Sequence, residues 1–258
     1  MKKITPFLSL TLLFPLASCG SLALTSEDKT TISSALAYID SSSYSYPDST
    51  RSALCRSYSR SGGSTDIHFD EWAIFDQEKG YAAHYDLNER KVLTSIYAFV
   101  YQESDGTYTS LSLPEAGVLK KTAASATSLS SAIQNIKTTQ IESAANTYIA
   151  ALRVFLDSSK ESYFSYLDSH SVSDYVSGSK AGSFSFKMAW AKEYSDASFK
   201  GEELVSFENY LPVRSVNTGT GEWVTSTGKE SLTNNYVLTF YWGEATPFYP
   251  DFTAYSVI

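Results

Sequence analysis

Apolar residues recur along this chain in two rhythms, and the boundaries between them divide it into elements. Thr25-Ser26-Glu27-Asp28 has the form of a capping box, in which Thr25 and Asp28 satisfy the first free amides of a helix. Ile32, Ala35, Leu36 and Ile39 then fall at i, i+3, i+4 and i+7, which predicts one apolar stripe on a helix ending near Asp40. From Ile67 the period drops to two. Ile67 to Phe75, Tyr81 to Leu87, Val92 to Gln102 and Thr107 to Leu113 read as strands. They are parted by Asp76-Gln77-Glu78-Lys79-Gly80, Asn88-Glu89-Arg90-Lys91 and Ser104-Asp105-Gly106, and turns this short make antiparallel neighbours. Tyr81, Ala83, Tyr85 and Leu87 alternate with Ala82, His84, Asp86 and Asn88, so one face of this meander is buried and the other partly wet. The run from Val92 to Tyr101 is apolar on both parities and predicts cover on both faces; Pro114 ends the sheet.

Helical spacing returns at Leu129, Ala132, Ile133 and Ile136, and again from Ile141 through Tyr148, Leu152, Phe155 and Leu156. Tyr163 to Leu167 reads as a turn or a further helical piece. In the segment from Ser183 to Trp190, Phe184, Phe186, Met188 and Trp190 share one face, the cleanest alternation in the chain. Leu204 to Asn209, Val213 to Asn217, Glu222 to Thr227, Asn235 to Trp242 and Phe252 to Val257 follow as strands. Residues 41–65, rich in Ser with a Pro and a Gly-Gly pair, read as a loop. The expected fold class is α+β: a curved antiparallel sheet packed with two or three helices in one domain over residues 26–258. Ala35 to Ser42 resembles Ala151 to Ser159 with one residue inserted, so a duplicated helix-plus-meander unit with halves 26–113 and 127–258 is one reading.

The first residues change the picture from a fold to a place. Lys2 and Lys3 precede an apolar segment from Phe7 to Leu16, too short to cross the roughly 30 Å hydrocarbon core of a bilayer, and together they read as a signal peptide over residues 1–18. Leu16-Ala17-Ser18 runs directly into Cys19. This junction resembles the lipobox of bacterial lipoproteins. The resemblance implies a diacylglycerol on the Cys19 sulfur, cleavage before it, residues 19–25 as anchor and tether, and a chain held at the extracytoplasmic face of the cell membrane. Each buried methylene contributes about 0.8 kcal/mol, so two acyl chains anchor stably where one holds marginally.

Consuming Cys19 leaves Cys55 with no intramolecular partner, a free thiol on the Ser/Arg-rich loop. Loss of residues 1–18 removes two lysines and no acid, so the formal charge of −8 becomes −10. An acidic chain without clustered Lys and Arg is a poor ligand for phosphate backbones, which excludes nucleic-acid binding. Arg51, Arg56 and Arg60 make 41–65 the one locally basic segment, either a solvated loop or a contact for an acidic partner.

Catalytic signatures are missing: the chain contains no HExxH, GxSxG, Walker loop, CxxC or calcium loop. No catalytic residue, metal ligand set or cofactor is therefore expected. His68 and His84 lie on the first two strands; a turn centred near Glu78 sets His84 against Trp72, and the two need not converge. Ser177-Gly178-Ser179-Lys180 has the SxxK spacing of serine acyl-enzymes but lies between glycines in a loop. Asp66, Asp70, Glu71 and Asp76 include no adjacent catalytic dyad, because neighbours on a strand point to opposite faces, and they read as exposed solubilising charge.

What remains is aromatic. Phe184, Phe186, Met188 and Trp190, with Phe240 and Trp242 from the strand Tyr236 to Trp242, supply either ordinary core or the inner wall of a hollow that takes an apolar ligand. Leu211-Pro212-Val213-Arg214-Ser215-Val216, Gly219-Thr220-Gly221 and Tyr236 to Gly243 resemble the closing strands of LolA-like and LppX/LprG-like lipoprotein carriers. That resemblance implies a curved half-barrel lined by helices whose concave face carries acyl chains. The leading expectation is an envelope lipoprotein that binds an apolar or amphipathic ligand, a lipid above all, between sheet and helices, without catalysis. The alternative is a surface interaction protein meeting a host macromolecule or glycan through Tyr44, Tyr46 and Tyr58, since Tyr and Ser are adaptable contact residues.

Overall fold

The structure, a computed structural model, describes residues 24–40, 50–62, 66–157, 167–180, 182–226, 228–243 and 255–258. The expected signal segment 1–18, Cys19, Tyr44, Tyr46, residues 163–166 and residues 252–254 of the expected last strand lie outside them. Helix α1 (Ser26–Asp40) leads into strands β1 (Arg51–Ser61), β2 (Ile67–Asp76), β3 (Tyr81–Asn88), β4 (Leu93–Gln102), β5 (Tyr108–Glu115) and β6 (Val118–Ala123). Helices α2 (Ala126–Asn135) and α3 (Ser143–Leu156) follow, then β7 (Ser169–Ser177), β8 (Phe184–Glu193), β9 (Ala197–Glu208), β10 (Leu211–Thr225), β11 (Gly228–Trp242) and β12 (Ser256–Val257). All twelve strands join one curved, unclosed sheet in the order β12-β6-β5-β4-β3-β2-β1-β11-β10-β9-β8-β7. Pairing is antiparallel except between β12 and β6, so the fold is α+β.

The helices form where the pattern places them. The capping box of α1 is made on both sides: the Asp28 amide donates to Thr25 Oγ1 at 3.1 Å and the Thr25 amide to Asp28 Oδ2 at 2.9 Å. Ile32, Ala35 and Leu36 are buried beneath it, and at its far end Arg153 of α3 grips both oxygens of Asp40 at 2.6 and 3.0 Å. Between α2 and α3 the chain does not break. Asn135 and Glu142 keep helical backbone angles, and residues Ile136–Glu142 wind as a π-helix, with Ile136 and Ile141 buried. The wider turn brings Gln140 onto the sheet, where its side chain and carbonyl accept from Arg56.

Several expected boundaries move. Part of the expected loop 41–65 is strand: Arg51–Ser61 is β1, paired along its length with β2 and β11, and it ties the first half of the sheet to the second. Its period-two pattern, Leu54, Arg56, Tyr58 and Arg60 on one face against Ala53, Cys55, Ser57 and Ser59, is obscured because partners across the sheet accept its Arg and Ser side chains. Pro114 does not end the sheet. Register slips between Ser112 and Glu115, Gly117 turns at φ 79°, and β6 pairs back on β5. Pro114 is tolerated at that irregularity because its missing N–H serves no ladder there. Strand β7 lies just beyond the predicted helical piece and forms one sheet edge.

The two predicted strands Val213–Asn217 and Glu222–Thr227 are one, β10, running through Gly219 and Gly221. These glycines mark close packing, not a turn. A Cβ on Gly221 would lie 2.4 Å from Cδ1 of Phe199, and one on Gly201 would lie 2.8 Å from Cζ2 of Trp190. On β4 only Phe99 and Val100 are buried consecutively, and Tyr97 is 60% exposed, so cover on both faces is confined to one end of that strand.

Two cores result, one on each face. Against the helices, Ile32, Leu54, Phe75, Ile136, Ile141, Leu152, Phe186, Val205, Phe207 and Phe240 pack together across both halves of the sheet. On the opposite face, Ala53, Ile74, Tyr85, Leu87, Phe99, Leu111 and Leu119 form a second core whose buried residues come from β1 to β6, with Tyr241 of β11 and Tyr255 packed against it.

Candidate functional site

The second core does not fill its own end. Tyr81 stands opposite Tyr101 and Ala83 opposite Phe99 across β3 and β4, and Leu111 of β5 and Leu119 of β6 face the same side. The C-terminal segment completes a wall. Ser256 and Val257 pair with Val118 and Leu119, the Ile258 amide donates to the Leu119 carbonyl at 2.9 Å, and the Leu93 amide donates to the Tyr255 hydroxyl at 2.7 Å. Between these elements lies a cleft of about 390 Å³, walled by Tyr81, Phe99, Tyr101, Leu111, Leu119 and Val257.

Three polar side chains reach it: Lys79, Gln102 and Lys121. Lys79 comes from the β2–β3 turn, which Gly80 closes at φ 60° and whose Gly80 carbonyl accepts from the Gln102 amide at 2.8 Å. That turn is crowded. A Cβ on Gly80 would meet Gln102 Cβ at 2.8 Å, so the turn holds Gln102 and Lys79 at one place. Lys121 follows Leu119 on the same face of β6, its Nζ 6.0 Å from the Tyr101 ring centroid and 3.7 Å from Glu103 Oε1. The Tyr101 hydroxyl and, secondarily, Glu103 hold Lys121 above its ordinary value, so it stays cationic. Burial pushes the Tyr101 phenol up.

The residues singled out from sequence lie elsewhere. Phe184, Phe186, Met188 and Phe240 are buried in the helix-side core, with Phe184 stacked on Phe207 at 4.6 Å. Trp242 stacks on Phe240 at 5.5 Å and donates from Nε1 to the Pro212 carbonyl at 2.7 Å. Trp190 lies over Gly201 and borders a shallow depression of about 700 Å³ with Ser169, Ser171, Lys200, Glu202 and Thr218. Among the described residues the space between sheet and helices, where a ligand hollow is expected, is occupied by the side chains of this core, and an apolar cleft opens on the other face. Of its wall, the sequence marks Tyr81 through the alternation of the second strand, and Phe99 and Tyr101 through the run that predicts cover on both faces.

Titratable groups gather on both faces. On the helix side Arg56 Nη1 and His84 Nε2 each lie 2.6 Å from Glu71 Oε1, and Arg56 also donates to Gln140 at 3.0 Å. Burial alone would raise the Glu71 carboxyl, but the His84 hydrogen bond and the Arg56 guanidinium outweigh it and hold it below its ordinary value. Asp86, the cross-strand neighbour of Glu71, moves the opposite way because burial dominates, although Tyr97 donates to its Oδ2 at 2.6 Å. On the far face Asp70 accepts from Ser57 at 2.7 Å and pairs with Lys91. Asp70 is 5% exposed, so neither it nor Glu71 is the solvated charge expected from sequence.

His84 stands opposite Ala73, and Trp72 opposite Tyr85, one residue off the expected register. His68 shares the Asp70 face and His84 the Glu71 face, so the two histidines do not converge. Cys55 is buried in β1, not exposed on a loop, and desolvation pushes its thiol up to about 11. Tyr58 is likewise taken into the sheet, donating to Asn234 Oδ1 at 2.9 Å. Among the described residues no group of three or more His, Cys, Asp or Glu could hold a metal ion, and no helix is long and apolar enough to cross a membrane. The chain matches no family model and no curated protein.

Proposed function

We propose that this protein is a lipid-anchored envelope lipoprotein, tethered through Cys19, that holds an apolar or amphipathic ligand in the cleft between β3, β4, β5, β6 and β12. The observation that carries the reading is the cleft itself: six apolar or aromatic walls enclose a volume within the roughly 300–1,000 Å³ of small-molecule sites, and few polar groups interrupt them. The lipobox-like junction Leu16–Cys19 supports the envelope part of the reading from sequence. Among the described residues the lining offers two lysines, one amide and aromatic and aliphatic walls, with no carboxylate, thiol or imidazole, which supports binding as the role of the cleft.

The test uses protein beginning at Gly20, titrated with the neutral fluorophore N-phenyl-1-naphthylamine. One saturable site per chain is expected. Val257 is 51% exposed, so Val257→Trp can fill the cleft mouth without disturbing packing, and it should abolish the signal while leaving the far-UV circular dichroism unchanged. Absence of saturable binding by the unsubstituted protein sinks the proposal. The anchor is tested separately: Cys19→Ala should end incorporation of labelled palmitate and release the chain from membranes, and unchanged fractionation would overturn it.

A further inference from the structure

Resting on the reading above, we infer that the cleft selects a single-chain amphiphile with an anionic head, its chain along Phe99, Leu111 and Leu119 and its head between Lys79 and Lys121. The argument is one of sign and size. The chain carries a formal charge of −8, yet the charged groups lining this cleft are two lysines and no carboxylate. Glu103 and Asp76 approach those lysines only at 3.7 and 4.0 Å and stand outside the lining, so the ammonium groups retain capacity for a further anion. The side chains of Lys79 and Lys121 are 60% and 49% exposed. They are hydrated at the mouth while the walls behind them are dry, the arrangement that an amphiphile matches end to end.

Gln102, fixed by the Gly80 turn, adds an amide donor beside Lys79. Its side chain at present donates to the Gly106 carbonyl at 3.3 Å, a long bond that a charged acceptor can displace. The volume of about 390 Å³ lies at the low end for ligand sites, which suits one acyl chain and not the two of a phospholipid.

The experiment measures binding of palmitate, lysophosphatidate, hexadecanol and lysophosphatidylcholine to the protein from Gly20 onward, by displacement of the same neutral fluorophore. Palmitate, lysophosphatidate or both should bind about three- to tenfold more tightly than hexadecanol, as two partly exposed ion pairs allow. Which of the two wins distinguishes a carboxylate head from a phosphate. The preference should shrink toward parity at about 0.5 M salt and vanish in Lys79→Gln/Lys121→Gln, which should bind the anions and hexadecanol within about twofold of one another. Equal affinity for hexadecanol and both anions, or preference for lysophosphatidylcholine, overturns the inference and leaves the apolar site standing. Failure of every ligand and of the fluorophore removes the apolar site itself.

Discussion

The two halves of the sheet solve the same problem differently. Strands β7 to β11 bury one face, against the helices, and present Lys187, Lys200, Glu202 and Glu222 to water on the other. Strands β1 to β6 carry apolar side chains on both faces, and β5, β6 and β12 supply the second cover. A half covered by long helices packs solidly; a half covered by its own short strands leaves a gap where Val257, two residues of parallel pairing, is the last wall. The candidate ligand site is therefore a property of the doubly covered half.

The largest expected effect breaks the solid half. Phe186 is fully buried between Phe207 and the helices, and Phe186→Ala should cost about 3–5 kcal/mol in urea denaturation. Phe99→Ala, whose ring already borders open space, should cost measurably less while weakening ligand binding. Equal costs would show that the two halves are packed alike and would end the comparison.

A middle-sized effect lies at the seam. Glu71→Gln leaves the Arg56 guanidinium and His84 with a neutral acceptor, and should lower stability by about 1.5–3 kcal/mol at pH 7. Because the Glu71 carboxyl is held below its ordinary 4.5, its contribution is complete above that pH and is lost as pH falls through the lower folded value. Asp86 has the opposite sign: with its folded value raised above 3.8, it favours the folded state as pH falls, so it partly offsets Glu71 in the acid limb. The gap between the stability curves of Glu71→Gln and the unsubstituted protein should narrow progressively as pH falls below 4.5, and a constant gap between them would refute the assignment. The smallest effect is chemical. Cys55, buried and with its thiol raised to about 11, should resist a disulfide-exchange reagent at pH 8 and react fully only in denaturant.

The helices and most strands were legible because their signals are local. Thr25 and Asp28 lie three residues apart, and Ile32, Ala35 and Leu36 repeat with the helix period. Strand β1 was illegible for the opposite reason: Arg56 and Ser57 read as loop until Glu71 and Asp70, from another strand, supply their partners. Gly219 and Gly221 interrupt the pattern between two predicted strands, yet the strand runs on through them, and Phe199 occupies the space that Gly221 leaves as Trp190 does over Gly201. The six aromatic and Met positions proposed as a ligand wall share a genuine apolar face, but alternation reports which face is apolar and not what covers it.

From its order of residues alone this chain settles an α+β class, a capped first helix, an antiparallel meander and an aromatic inner face, since each depends on periods of two or 3.6 residues. Tertiary structure alone decides that all twelve strands form one sheet, that Asp70 and Glu71 are enclosed, and that the apolar opening lies away from the helices. The reason is distance along the chain: Leu119 and Val257 share a wall only after 137 intervening positions have folded between them, and no local rhythm encodes that meeting.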